Sequence, residues 1–440
     1  MMGEAPTWLS VLPPLVAIVL AMVTHRVILS LTLGVLIGVW LTVDGSLTAA
    51  IPAALNEHLF PQLLDRDHLF VFAFTLLMGA MVGVVTRSGG MHALVDAMSR
   101  WASNRRRGQI MTWLLGLIVF FDDYANALLV GSTVRPLADR LCISREKLAY
   151  LVDSTSAPVA GLALVSTWVA GEISYVQEGL TQLGGQAAEV SAFNVFIETI
   201  PYRFYPLWAL LFVALIAWTG RDWGPMAVAE ENALAGSAPG LNVSTPGRDR
   251  LEPTPDTPRH WFNAVGPIVL CVILAAAWLV ISGRQSLAAD GVQTTSLIEI
   301  VGNGDSYEAL LLGSAAGLAL AALLVAVGRL MPLWGFAEAT AIGAWHMMPA
   351  LAILWLAWTL SGLTGSDYLG TGEYLSSLIH DRVIVELLPT VVFILAAFVA
   401  FATGTSWGRM GMLVPLVIEV TSQAIAAEEA VVALADDWDS

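Results

Sequence analysis

The chain has 440 residues, of which 57% are hydrophobic and 13% charged, and its mean hydropathy is +0.72. A soluble chain of this length does not fit those values, whereas apolar stretches long enough to cross a ~30 Å hydrocarbon core as helices recur throughout. The formal charge of -16, with 36 acidic against 20 basic residues, argues against nucleic acid and against an anionic membrane patch.

In chain order, the first apolar run starts at Trp8 without a basic region or a small-residue cleavage site, so it reads as a retained span rather than a cleavable signal. The candidate spans are 8–24, 27–43, 68–86, 108–134, 149–170, 204–219, 261–281, 308–329, 347–363 and 383–420. Segments 108–134 and 383–420 are too long for one straight crossing and carry polar residues in their middles, the pattern of broken or re-entrant hairpins. Cys142 and Cys271 stand far apart and support neither a disulfide framework nor a Cys-rich metal site.

Arginines from Arg87 to Arg107 precede segment 108–134, and Arg135, Arg140, Arg145 and Lys147 follow it. Short basic loops stay in the cytoplasm, so this segment is expected to dip in and return. The connection 171–200 carries Glu172, Glu178, Glu189 and Glu198 but no Lys or Arg, and is expected to face outward. Residues 221–260, rich in Pro, Gly and Ala, read as a disordered cytoplasmic linker between a first membrane half, 1–220, and a second, 261–440.

The fold class expected is an all-α polytopic membrane protein built as an inverted-topology repeat with two broken hairpins. After its hairpin the first half continues with two more spans and the second does not, so the second repeat reads as incomplete by about 80 residues.

The chemistry concentrates in FFDDYANALLVGSTVRPLADRLCISREKLAYLVDSTSAPVAGLALVSTW, from Phe120 to Trp168. Asp122 and Asp123 follow an apolar run, and Asn126 comes one helical turn later. A carboxylate inside a membrane is costly unless paired, protonated or metal-bound, so the pair reads as functional. A cap at a wet helix end is the alternative. A second polar knot, Asp153-Ser154-Thr155-Ser156-Ala157-Pro158, interrupts the next apolar stretch: Pro158 frees backbone carbonyls, and Asp153 with its hydroxyl neighbours supplies hard oxygens suited to Na+. Thr155 could instead bond back to the preceding turn. In the second half, Thr403, Gly404, Thr405 and Ser406 break the hairpin, either to present carbonyls to an ion or for close helix packing.

Gly404 to Gly408 also fits the G-x-S-x-G pattern of serine hydrolases, but in an apolar helical run it lacks the strand-turn-helix setting that chemistry needs, and an enzyme is not expected. Nor does the chain contain a P-loop or a Gly-rich nucleotide fingerprint, which favours a coupling ion over an ATP motor.

FFDDYANALLVGSTVRPLADR followed by ISREKLAYLVDSTSAPVA resembles the signature of the NhaC-type Na+/H+ antiporter family, and ATGTSWGRMGMLVPL resembles its second signature. The resemblance implies an ion-transporter-superfamily fold with a central site. Asp122, Asp123, Asn126, Asp153, Ser154 and Thr155 would come from the first half, and Thr403, Gly404, Thr405 and Ser406 from the second. Na+ would be held by Asp122, Asp123 and Asp153. The family's further block resembling Gly-Asp-His-Cys-Ser-Pro-Ile-Ser-Asp does not follow in this sequence.

The expected function is therefore exchange of Na+ for H+ across the cell inner membrane. Competition for a carboxylate would couple the fluxes, and the adjacent Asp pair would titrate as one unit. Exchange of an organic anion or an amino acid is the rival within the family, and an inactive fragment the rival outside it. No cofactor is expected. The partners would be the two ions and membrane lipid, with a homodimer as a candidate assembly.

Overall fold

The computed structural model describes residues 7–43, 46–183, 185, 190–235, 251, 258, 260–289, 291, 294–365, 367–371, 374, 387–403, 410–411 and 413–422. Among these residues it contains helices and no strand. Five helices are long and apolar enough to cross a membrane, six if one bent pair counts as a single span.

The first helices are α1 (Leu12–Thr24), α2 (Val27–Thr42), α3 (Leu47–Ala53) and α4 (Phe60–Leu64), with a π-helical turn at Ala54–Leu59 between Pro52 and Pro61. They lead into α5 (Arg66–Arg87) and α6 (Gly90–Ser99). The polar block supplies α7 (Arg105–Ile118), α8 (Asp123–Arg140), α9 (Arg145–Leu162) and α10 (Thr167–Leu183). After α11 (Ala192–Thr199), α12 (Phe204–Thr219) and α13 (Gly224–Leu234) come α14 (Phe262–Ala289), α15 (Leu297–Gly302), α16 (Ser306–Gly328), α17 (Leu333–His346) and α18 (Met348–Thr364). Helices Leu388–Thr403 and Leu413–Ser422 follow.

These elements form two compact units. One comprises Met1–Leu69, Gly171–Val195 and Met348–Ser440, the other Phe70–Ala170 and Phe196–Met347. Each draws on segments from both sides of the 221–260 stretch.

In the second unit, α9 packs against α7, α8 and α12, while α14 lies along α16. Leu151, Val213 and Ala217 form a buried cluster there, with Ile110, Trp113 and Tyr150 against it. Helices α5 and α17 meet backbone to backbone: a Cβ on Gly83 would strike the Ala339 carbonyl, and one on Gly343 the Gly79 carbonyl. Such close approach is available only to residues without a side chain. Arg87 and Glu338 tie the same two helices with an ion pair of 2.7 Å.

In the first unit, α2 packs on α1 and α18. Trp358 of α18 is fully buried and stacks on His68 at 3.7 Å between ring centroids.

Three expectations need correction. The 149–170 segment is not one straight crossing: α9 ends at Leu162, and α10 leaves it at a 50° bend. The stretch 171–200, read as a connection, is helical over 171–183 and again in α11, so Glu172 and Glu178 belong to α10. Residues 224–234 of the supposed linker form α13, because Glu230 finds two partners: the Arg105 side chain and the Ser144 amide, the latter at 2.7 Å. Of the rest of that stretch, 236–250 lie outside the described residues.

Glu230 has a topological consequence. It joins the first residue of α7 to the residue that caps α9, so the chain running through α7 and α8 returns to the end from which it set out. Lys147, the sole lysine, is fully buried at this end and paired with Asp222.

Candidate functional site

Helix α7 begins on Asn104, whose side chain accepts from the Arg107 amide at 3.0 Å, and stops where Val119 leaves helical geometry at φ -94°, ψ 53°. A helix that ends away from water strands the carbonyls of its last turn. Asn126 resolves this: its Nδ2 donates to Gly116 O at 2.8 Å and to Val119 O at 2.9 Å. Its own amide donates to Asp122 O at 3.0 Å, starting α8. One asparagine thus ends the first helix and begins the second. Asn126 is 0% exposed, and its Oδ1 accepts no hydrogen bond among the described residues.

The second break lies beyond the Asp153–Pro158 knot. Helix α9 is capped by Ser144, which accepts from the Lys147 amide at 3.0 Å, and runs through Pro158 to Leu162. Residues 163–166 are non-helical. Ser166 Oγ donates to Ala160 O at 2.6 Å and accepts from Val169 N at 3.1 Å, closing α9 and opening α10 with one hydroxyl. Arg203 adds a cation at the carboxyl end of α9, donating to Gly161 O at 2.8 Å, with its guanidinium 4.5 Å from the Phe196 ring centroid.

The two breaks touch. Thr167 N donates to Phe121 O at 2.9 Å, and Thr167 Oγ1 donates to Asp122 Oδ2 at 2.7 Å. Trp168 Nε1 donates to Asp123 Oδ1 at 2.8 Å. The carboxylates therefore stand at the amino end of α8 and receive side-chain donors from the amino end of α10, and both helix dipoles favour negative charge there. Asp122 is 1% exposed; Asp123 is half-buried.

Thr155 is buried beneath this junction. Its methyl would lie 2.7 Å from a Cβ on Gly116, so the missing side chain lets α9 close on α7 beside Asn126. Its hydroxyl bonds back to Leu151 O at 2.6 Å.

Four of the expected residues, Asp122, Asp123, Asn126 and Thr155, thus come together. Asp153 is exposed and Ser154 half-buried, and neither hydrogen-bonds to this group in the geometry described. Gly404, Thr405 and Ser406 lie outside the described residues, as does the Thr403 side chain. Sequence reasoning missed Ser166, Thr167, Trp168 and Arg203. The signal for the first three was a Ser-Thr pair interrupting an apolar run soon after Pro158, and for Arg203 the return of a cation after a stretch that had none.

The profile of the Na+/H+ antiporter family matches residues 159–437. The chain belongs to the Na+/H+ antiporter family. An uncharacterised protein of Haemophilus influenzae is 30% identical over 423 residues, covering 94% of this chain and 78% of the relative. The Alcanivorax borkumensis YdaH transporter shares the fold, with a TM-score of 0.52 at 15% identity over 82% of this chain and 74% of that one. Neisseria gonorrhoeae MtrF, described as one of a class of antimetabolite efflux pumps, gives a TM-score of 0.49 at 15% identity over 88% and 72%. This member of the antiporter family is a multi-pass membrane transporter. Its Asp122–Asn126 segment precedes the residues matched by the profile.

Proposed function

We propose that this transporter exchanges Na+ for H+ across the cell inner membrane, and that the Asp122–Asp123 pair is where the two ions compete. The observation that carries the reading is the junction itself: two helix breaks joined by Thr167 and Phe121, with a buried carboxylate, and with Asn126 Oδ1, buried at the same break, accepting no hydrogen bond among the described residues. Carboxylate, amide and hydroxyl oxygens are the hard ligands a dehydrated Na+ needs. In the Na+-loaded state the ion rests on the ionised pair and the Asn126 oxygen. In the H+-loaded state a proton on the pair removes the charge that holds Na+. If only loaded carriers change face, one site serves both fluxes in turn.

The test is Na+-induced proton efflux from everted vesicles. Asp122→Asn and Asp123→Asn keep the shape and the acceptor oxygen but cannot carry a proton. At least one should reduce exchange more than tenfold with unchanged expression. Wild-type rates in both, or uptake that needs an organic anion or amino acid at constant Na+, would reject the proposal.

A further inference from the structure

Beyond Gly171, α10 carries Tyr175, Glu178 and Gln182 at helical spacing, and its polar face is built into the first unit. Tyr175 is fully buried, and a Cβ on Gly411 would lie 2.7 Å from its hydroxyl. Gln182 Nε2 donates to Glu178 Oε1 at 3.1 Å and to Ser361 Oγ of α18 at 2.9 Å. Gly362 of α18 lies beside this acid: a Cβ there would sit 3.3 Å from Gln62 Nε2 and in ordinary contact, at 3.9 Å, with Glu178 Oε1. A carboxyl has thus been given a fitted place between helices, held by an amide and a relayed hydroxyl.

No Lys or Arg among the described residues forms an ion pair with Glu178. Acids predominate among the titratable groups on the elements around it, although α5 opens on Arg66 and Asp67. Asp65 precedes α5, and Glu419 is buried on the Leu413–Ser422 helix, which packs on α10 through Ile418 and Gly179. Glu172 lies on α10 itself. His58 and Glu57 belong to the π-helical turn, and His58 contacts the Tyr368 ring. His68 is engaged with Trp358 and, through Nδ1, with Gln62 O at 2.8 Å. The setting is the opposite of that at Asp122 and Asp123, where two helix amino ends favour negative charge. Burial without an ion-paired cation favours the neutral carboxyl and the Gln182 donor favours the carboxylate, so the setting suits a group that changes its protonation state. Glu178 is half-buried rather than enclosed.

We propose that Glu178 is a second proton-binding site of this transporter, separate from the Asp122–Asp123 pair and held between α10 and α18 by Gln182 and Ser361. The inference rests on the reading of the chain as a proton-coupled exchanger. The step is simple: a carboxylate oxygen takes H+ from water and later returns it to water, with no other bond made or broken.

The deciding readout needs no transport. Purified full-length protein is subjected to a pH jump and followed by infrared difference spectroscopy in the carboxyl C=O region. A band attributable to Glu178 should be lost in Glu178→Gln and retained, at a shifted position, in Glu178→Asp and, unshifted, in Asp122→Asn. In unmutated protein, carbon-13 in the glutamate side-chain carboxyls should shift the same band and label in aspartate should not, so misfolding of a variant cannot hide the result. An unchanged band in Glu178→Gln, or no response to glutamate label, overturns the proposal. In proteoliposomes with clamped voltage, Glu178→Gln should lose one proton per Na+ exchanged, whereas Asp122→Asn should lose the Na+-dependent flux. If Asp122→Asn and Asp123→Asn keep full exchange while the Glu178 band behaves as expected, the Na+ site fails and Glu178 stands.

Discussion

At the scale of single residues, Asn126 and Ser166 each satisfy two backbone groups at the helix breaks, while Thr167 and Trp168 serve the carboxylates. Thr167 shows the division of labour: its amide binds Phe121 O whatever the side chain, while its hydroxyl serves Asp122 alone. Thr167→Val keeps the volume and the backbone bond and removes only the hydroxyl. A hydrogen bond to a charged group contributes about 1.5–3 kcal/mol. Thermal stability should therefore fall by about that amount, and because the hydroxyl also holds the carboxylate in place, the apparent Na+ affinity in everted vesicles should fall with it. Gly116 tests packing instead. Gly116→Ala drives a methyl against Thr155 Cγ2. Overpacking of this kind costs about 1–3 kcal/mol, and Thr155→Ser, which deletes the opposing methyl, should recover most of it in detergent unfolding assays. Independent, additive losses in the double variant would mean that the two helices do not meet there.

Sequence showed the Asp pair and Asn126 because three polar groups one turn apart in an apolar run have few bland explanations. Trp168 was hidden, since an indole after an apolar stretch reads as core until its N–H is seen on a carboxylate.

At the scale of helices, the question is why the second break falls at 163–166 and not at the Asp153–Pro158 knot. Pro158 removes one donor, but a helix terminates where both new ends find partners. Ser166 and Arg203 provide them for the Ala160 and Gly161 carbonyls. Arg203 lies 42 residues from the carbonyl it caps, a pairing no local pattern reveals. Arg203→Ala should lower thermal stability by about 1–3 kcal/mol through a buried carbonyl left without a donor. Arg203→Lys should recover part of the loss, because a cation still faces the helix end. An unchanged melting temperature for Arg203→Ala would remove this residue from the account of the break. The same non-locality explains α13: composition made 221–260 read as linker, and Glu230 paired with Arg105 holds its first part as helix.

At the scale of the whole molecule, the apolar periods gave helices and approximate spans, but not how the chain groups them. Both compact units take segments from each side of the 221–260 stretch, so the boundary that composition marks is not a boundary of packing. The orientation remains accessible through charge. Arg100, Arg106 and Arg107 are exposed around the start of α7, and Glu230 holds that start to the cap of α9. The positive-inside rule assigns this end to the cytoplasm. Segment 190–199, which carries Glu198 and no Lys or Arg, is then expected outside, with Val190 exposed at its beginning. In intact cells, a cysteine at Ser103 should resist an impermeant maleimide and react only in everted vesicles, and one at Val190 should behave in the reverse way. The native Cys142 and Cys271 are first replaced by serine and alanine to silence the background. Labelling of both positions from one side would mean that α9, its break and α10 do not together cross the membrane. The same result would reject the inverted repeat expected from the two broken segments, since a re-entrant α7–α8 pair needs the α9–α10 crossing to carry the chain to the opposite face.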